Sequence, residues 1–276
     1  MKTIKYLFLG ALLSLTTACG NDWLDLEPTT KVPSDTAIEN LTGMEASLNG
    51  IYDLMRNAYY YSGRMMYYGD VTGDDAQAIE TGKRTSSYYF LNYTKDNGPS
   101  THWSYAYKII QDCNIILGSC DKLEINEDDE DDFNDLKGQA LALRGMALFD
   151  LTRFFGYPYA KDNGASLGVP IVKEISDTES KPSRSTVAEC YEAIINDLKD
   201  ASELLSGSFN KGKINKWATL ALLSRAYLYM EDNTNALATA EAAIKGAEGK
   251  KYALWTNEEY PNAWEIEYEK SAPGEY

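Results

Sequence analysis

A mainly α chain, built of stacked helix pairs with long inserted loops and a few short strands, is what three features of the sequence predict. Small and apolar residues recur at helical spacing in two adjoining runs between Leu220 and Ala243. Two capping boxes, Thr42-x-x-Glu45 and Thr186-x-x-Glu189, mark helix starts. A content of 44% apolar and 25% charged residues over 276 positions is enough to bury a core, and it excludes a disulfide miniprotein, a collagen and a wholly disordered chain. The 26 Lys+Arg against 42 Asp+Glu leave a formal net charge of -16, which repels phosphate backbones, so no nucleic acid is expected as a partner. The 21 tyrosines and 5 tryptophans fit either an aromatic-rich helical core or a surface that stacks on flat ligands.

Taken in order, residues 1–18 read as a lipoprotein signal peptide. Lys2 and Lys5 supply its charged start, Tyr6 to Leu15 its apolar stretch, and Thr16, Thr17 and Ala18 its small residues. The apolar stretch is too short for a bilayer core that takes roughly 20 residues. The run Leu15-Thr16-Thr17-Ala18-Cys19 resembles a bacterial lipobox with Thr16 at its weak third position, so Cys19 is expected to be lipidated and to hold the protein to a membrane. Residues 19–35, polar and proline-containing, read as a tether, and residues 36–276 as the folded body.

In the body, Met44, Leu48, Ile51, Tyr52 and Met55 recur at helical spacing behind the first capping box. From Gly69 to Thr101 the glycines, Asp74, Asp75 and Asn97 to Pro99 break any long period, which predicts a long excursion with short strands near Tyr88 to Tyr93. Trp103, Tyr107, Ile110, Asn114 and Leu117 line one face of a second helix. Six consecutive acids, Glu127 to Asp132, precede a third, running from about Phe133 to Phe155. The acids suit a helix N-terminus; a calcium loop is disfavoured because Phe133 occupies the position of its required glycine. After a Pro- and Gly-rich connection, Gly156 to Ser185, the second box opens a helix with Val187, Tyr191, Ile194, Ile195, Leu198 and Leu205 on its apolar face. Leu220, Leu223, Ser224, Tyr227, Ala236, Ala240 and Ala243 then fit a tetratricopeptide helix pair, which needs neighbours to bury its face.

Chemistry-bearing motifs are few. Cys113 and Cys120 on one helix lie roughly 10 Å apart along its axis, so buried free thiols are the plainer reading, with a bridge to Cys190 geometrically open. One histidine and no Cys-x-x-Cys argue against a structural zinc, and no cofactor is implied. Gly164-Ala165-Ser166-Leu167-Gly168 matches the serine-hydrolase elbow. Val169-Pro170 follows where a helix should begin, however, and His102 precedes the serine rather than following it. No acid, base and nucleophile set emerges, and no enzyme is expected. Asn40-Leu41-Thr42 and Asn92-Tyr93-Thr94 are sequons, and Asp35-Thr36-Ala37 resembles a short O-glycosylation triplet of exported Bacteroidota proteins.

Several blocks occur in one order: Cys19 with Trp23-Leu24-Asp25 and Pro28; Asn49-Gly50-Ile51-Tyr52; Trp103, Tyr107 and Asn114; Ala142-Leu143-Arg144 through Phe154-Phe155-Gly156; Val169-Pro170-Ile171-Val172; Arg184-Ser185-Thr186-Val187 with Asp197-Leu198; and Ala221 to Leu228. Together they resemble the SusD/RagB family of outer-membrane nutrient-uptake lipoproteins, over nearly all of Cys19 to about Tyr268. The resemblance implies a lipid-anchored, cell-surface glycan-binding protein that sits as a lid on a TonB-dependent, SusC-like barrel transporter. It implies ligand contacts from the loop before Trp103, where Asp74 and Asp75 stand at a family acidic pair and Arg84, Tyr88, Tyr89 and Tyr93 are the further candidates. That loop holds no tryptophan, which argues against starch itself, and packing onto the helices is an equal reading of its tyrosines. Family members are longer, so further chain is expected to follow Trp264 to Tyr268, and apolar surface to be exposed where it packs. The alternative is a lipid-anchored protein-interaction scaffold or a peptide-binding uptake component, gripping its partner on a concave helix face.

Overall fold

The computed structural model of the chain describes residues 38–73, 76–78, 85–91, 100–175, 180–210, 212–249, 252, 256–258 and 260. The expected signal peptide, Cys19 and the tether lie outside them, as do Asp74, Asp75, Arg84 and Tyr93. The first helix, α1 (Leu41–Met55), is opened by Asn40, whose extended backbone lets its side-chain oxygen accept from the Gly43 amide at 3.0 Å. The cap therefore sits two residues before the box read from the sequence. Thr42 lies inside the first turn, and Glu45 pairs instead with Lys213 at 2.7 Å. Met44, Leu48 and Ile51 form the buried face of α1, as their spacing predicts.

Seven more helices follow among the described residues: α2 (Arg64–Thr72), α3 (Ser86–Tyr89), α4 (Ser100–Ser119), α5 (Glu130–Phe155), α6 (Val187–Leu204), α7 (Lys216–Tyr229) and α8 (Asn233–Ala247). From α4 onward each packs against the next, and α1 lies across α4 and α5, so the body is a stack of helix pairs. The acids Glu127 to Asp129 make one 3-10 turn, and Glu130, Asp131 and Asp132 fill the first turn of α5, where they complement the positive end of its dipole. The predicted capping box of α6 forms in full: the Thr186 hydroxyl accepts from the Glu189 amide and the Glu189 carboxylate accepts from the Thr186 amide. In the α7–α8 pair Leu223, Ala226, Tyr227, Ala236 and Ala243 are buried, and the Ser224 hydroxyl donates to the Ala236 carbonyl at 2.8 Å. Leu228, Leu237 and Ile244 of this pair are exposed.

Two expectations are corrected. The long excursion begins later than Gly69, because α2 continues to Thr72, whose hydroxyl donates to the Tyr68 carbonyl at 2.8 Å. The strands near Tyr88 are absent among the described residues: the Tyr88 and Tyr89 amides both donate to the Thr85 carbonyl, closing the single turn α3, and Tyr88 is buried edge-on against the Tyr68 ring at 5.3 Å. The β structure of the described residues amounts to two isolated bridges, Leu167 with Thr186 and Glu248 with Tyr252.

The long helix α5 is buried at nearly every position from Leu136 to Thr152, so it is the axis on which the others pack. Gly145 lets α6 approach closely there; a Cβ at this position would sit 3.2 Å from Leu198 Cγ. At the preceding residue lies a buried ion pair. Arg144 donates from Nε and Nη2 to the two carboxylate oxygens of Asp197, both at 2.7 Å, and from Nη1 to Asn114 Oδ1 at 3.0 Å. Asn114 in turn donates from Nδ2 to the Val172 and Glu174 carbonyls, each at 3.0 Å, pinning the extended stretch of the Gly156 to Ser185 connection onto α4. Arg184 holds the other end of that connection, donating to the Gly168, Leu167 and Phe155 carbonyls.

Truncating one partner of this pair leaves the other charge buried and unpaired. Arg144→Met should therefore lower unfolding stability by about 3–5 kcal/mol, whereas Arg144→Met combined with Asp197→Leu recovers most of it. Urea unfolding followed by circular dichroism checks both, and equal losses in the single and double variants would show that the ion pair is not the cause.

Candidate functional site

Cys113, Cys120 and Cys190 are buried and free, and burial pushes all three thiols above their ordinary pKa, so none is a ready nucleophile. No group of three or more His, Cys, Asp and Glu is placed to hold a metal ion among the described residues. Ser166 of the elbow-like motif donates to the Asp162 carboxylate in an exposed turn that Gly164 enters at φ 76°, with neither a strand before it nor a helix directly after. His102 lies on α4, 2% exposed, stacked on Phe154 at 5.2 Å and edge-on to Tyr68 at 5.6 Å, away from that serine's hydrogen bonds.

An open concavity of about 620 Å3 lies where α2, the end of α5 and α7 meet. From α2 come Met65, Tyr68, Gly69 and Thr72, whose spacing of three and four residues sets them on one helix face. The last turn of α5 contributes Arg153 and Phe154, and α7 contributes Arg225 and Tyr229, one turn apart. Tyr61 and Met66 complete the lining. The volume falls within the roughly 300–1,000 Å3 of small-ligand sites, and the lining of aromatic rings with a few strong donors is of the kind such sites use.

Beneath this surface a buried carboxylate organises the polar groups. Asp150, 2% exposed, accepts from the Tyr60 and Tyr61 hydroxyls at 2.7 and 2.8 Å on one oxygen and from Arg153 on the other. Burial, reinforced by the Asp150 charge, pushes both phenols far above the ordinary tyrosine value, so they act as fixed donors. Burial works against the Arg153 charge, but Asp150 and the Tyr229 hydroxyl outweigh it and its pKa is raised. The Arg153 guanidinium lies 4.7 Å from the Phe149 ring centre and 5.6 Å from that of Tyr229, which fixes its plane between rings.

A second, more apolar concavity of about 370 Å3 is lined by Trp103, Tyr107, Ile110 and Gln111 of α4 and by Pro170, Val172 and Pro182. Its one phenol is already engaged, donating to the Pro170 carbonyl at 2.7 Å.

Of the residues read from the sequence as ligand contacts, Tyr88 is a packing residue and Tyr89, half-buried with its ring against Phe90 at 4.9 Å, lines neither concavity. Asp74, Asp75, Arg84 and Tyr93 lie outside the described residues. Sequence reasoning missed Arg153, Arg225 and Tyr229. The i, i+4 placement of Arg225 and Tyr229 on α7 was readable, but not that α2 would face them.

Residues 22–228 match the SusD-like family model described as "Starch-binding associating with outer membrane". A solved Bacteroides vulgatus protein, described as a candidate sugar binding protein, is 66% identical to this chain with a TM-score of 0.80, over 83% of this chain and 51% of that one. A SusD superfamily protein from Bacteroides thetaiotaomicron is 40% identical with a TM-score of 0.74, over 81% of this chain and 50% of its own. A SusD-like protein of Bacteroides ovatus is 22% identical over 233 residues, covering 81% of this chain and 39% of that protein. The chain thus spans about half the length, or less, of these relatives.

The raised phenols set a pH limit on the fold. A tyrosine whose folded pKa lies above its unfolded value of about 10 contributes stability that is present below that pH and lost above it, at about 1.4 kcal/mol per pH unit per group. With Tyr60 and Tyr61 both raised, urea midpoints should be level from pH 7 to 9 and fall steeply beyond pH 10, and Tyr61→Phe should flatten the fall. An unchanged slope in that variant would remove Tyr61 from the account.

Proposed function

The chain belongs to the SusD-like family, and from that membership we propose that it binds glycan at the cell surface and hands it to a TonB-dependent, SusC-like outer-membrane transporter, with no bond made or broken. The observation that carries this reading is the concavity between α2, α5 and α7, where Tyr61, Tyr68, Phe154 and Tyr229 ring a pair of arginines. Sugar rings present apolar C–H faces and a rim of hydroxyls. Aromatic faces cover the first, and guanidinium donors and phenols bond the second. Asp74 and Asp75, the next residues in the chain after Gly73, remain candidates for hydroxyl contacts, and Arg84 and Tyr93 for further ones.

The lipidated Cys19 is part of the same proposal. It would hold the body to the outer membrane through its acyl chains, in keeping with a family described as associating with that membrane. Among the described residues no helix is long and apolar enough to cross a membrane. The scaffold reading draws on a different observation, the exposed Leu228, Leu237 and Ile244 of the α7–α8 pair, which suit contact with protein. The two readings are compatible if that face meets the transporter and the concavity meets the glycan.

Titration of soluble polysaccharides into the protein by isothermal calorimetry tests the glycan step. Tyr229→Ala, at a 44% exposed position, should weaken binding by about three- to tenfold while leaving the melting curve near that of the parent. Tyr88→Ala should act chiefly on stability, since its ring is buried against Tyr68. A tag placed after Tyr276 should recover a large barrel protein from detergent-solubilised outer membrane; recovery of envelope-assembly proteins in its place would favour the scaffold.

A further inference from the structure

The charge of the concavity runs against that of the protein. The chain has 42 acidic and 26 basic residues, yet among the described residues the lining of the concavity contains two arginines and no carboxylate. One of the two, Arg153, is neutralised from below by Asp150. The other, Arg225, is exposed, and no carboxylate among the described residues pairs with it; its recorded neighbour is the Phe149 ring, whose centre lies 5.9 Å from the guanidinium carbon. Both guanidiniums therefore stand within 6 Å of one ring, and among the described residues only Arg153 has a carboxylate partner, Asp150. Arg225 acts on the same group of donors, since its charge opposes the rise of the Tyr61 pKa that burial produces. Among the described residues this leaves one guanidinium without a carboxylate beside aromatic rings, a setting that suits an anionic group on a ligand.

We propose, resting on the glycan-binding reading above, that the ligand is an acidic glycan, and that a sugar-ring carboxylate is held by Arg225 while the ring stacks on Tyr229. The chemistry fits the parts. Guanidinium presents a planar fork that matches a carboxylate, the i, i+4 spacing of Arg225 and Tyr229 on α7 places the fork one turn from the stacking face, and Arg153 supplies a second cation on the same side. A neutral glucan could accept hydrogen bonds from Arg225 but would bring no opposite charge to it.

The test uses calorimetry with three probes: an oligogalacturonide mixture, a neutral malto-oligosaccharide mixture of matched length, and poly-glutamate. The oligogalacturonides should bind in low salt, and Arg225→Gln should weaken them by about ten- to a hundredfold, with Arg225→Lys in between because it keeps the charge and loses the fork. Binding should also weaken in high salt. Thermal melts of both variants confirm that an exposed position has been changed without loss of fold. Binding of the neutral sugars alone, or acidic-sugar binding indifferent to Arg225→Gln, overturns the acidic-glycan inference and leaves the glycan reading standing. Poly-glutamate binding as tightly as the oligogalacturonides means the site reads charge rather than sugar and overturns the inference as well. Binding of none of the three overturns the acidic-glycan inference, and the polysaccharide titrations above then decide the glycan reading on their own.

Discussion

The Arg144–Asp197 pair is the constraint on which the arrangement of helices depends. Two charges buried on adjacent helices are tolerated only when they are well paired and hydrogen-bonded, and here each guanidinium nitrogen has a partner: two bonds to the carboxylate and a third to Asn114. Each partner comes from a different element, so one geometry fixes α5 against α6, α6 through Asp197 against the rotation of α5, and α4 through Asn114 against both. The extended stretch near Val172 is then held by Asn114 rather than by a β ladder. A stack made only of apolar ridges would permit sliding along the helix axes; a bidentate pair permits very little.

The same helix that presents Arg144 to its neighbours sets Asp150 beneath the concavity and Arg153 in its lining, six and nine residues further on. Nine residues of α-helix rise about 13 Å, so scaffold and site are rigidly joined along α5. Asp150 repeats on a smaller scale what Asp197 does: a buried carboxylate whose donors arrive from other elements, here Tyr60 and Tyr61 from the segment between α1 and α2. The rings of the site are therefore positioned by the fold before any ligand arrives, which lowers the ordering cost of binding.

Much of the helical frame was legible in the sequence because its signals are local. Thr186 and Glu189 can find one another within one turn, and the Leu223, Tyr227, Ala236 and Ala243 spacing requires only that two helices touch. The cap stands two residues before the box because Asn40 is itself a favoured capping residue whose side-chain oxygen meets the Gly43 amide, and pattern alone does not rank it against Thr42. The tyrosines near Tyr88 were ambiguous for a related reason: a tyrosine-rich run suits a strand, but burial of Tyr88 against Tyr68 decides for a turn, and that contact joins residues from two elements. The site was less legible still. Arg153, Arg225 and Tyr229 are ordinary residues of two helices until α2 closes over them, and the sequence does not state which turn of one helix meets which turn of another.

An acidic protein that attracts an acidic ligand is not a contradiction, because the two effects act over different distances. At physiological ionic strength charges more than about 8 Å apart are largely screened, so most of the net charge of -16 is felt as a general slowing of approach. Within the concavity an acidic ligand bound as proposed would meet Arg153 and Arg225 at contact distance, where screening is least. The distant field then lowers the rate at which any polyanion arrives, while the local pair decides which one stays. A polyanion without stackable rings gains the arginine contact alone and has no hold on Tyr229, so discrimination rests on the ring beside the charge rather than on the charge itself.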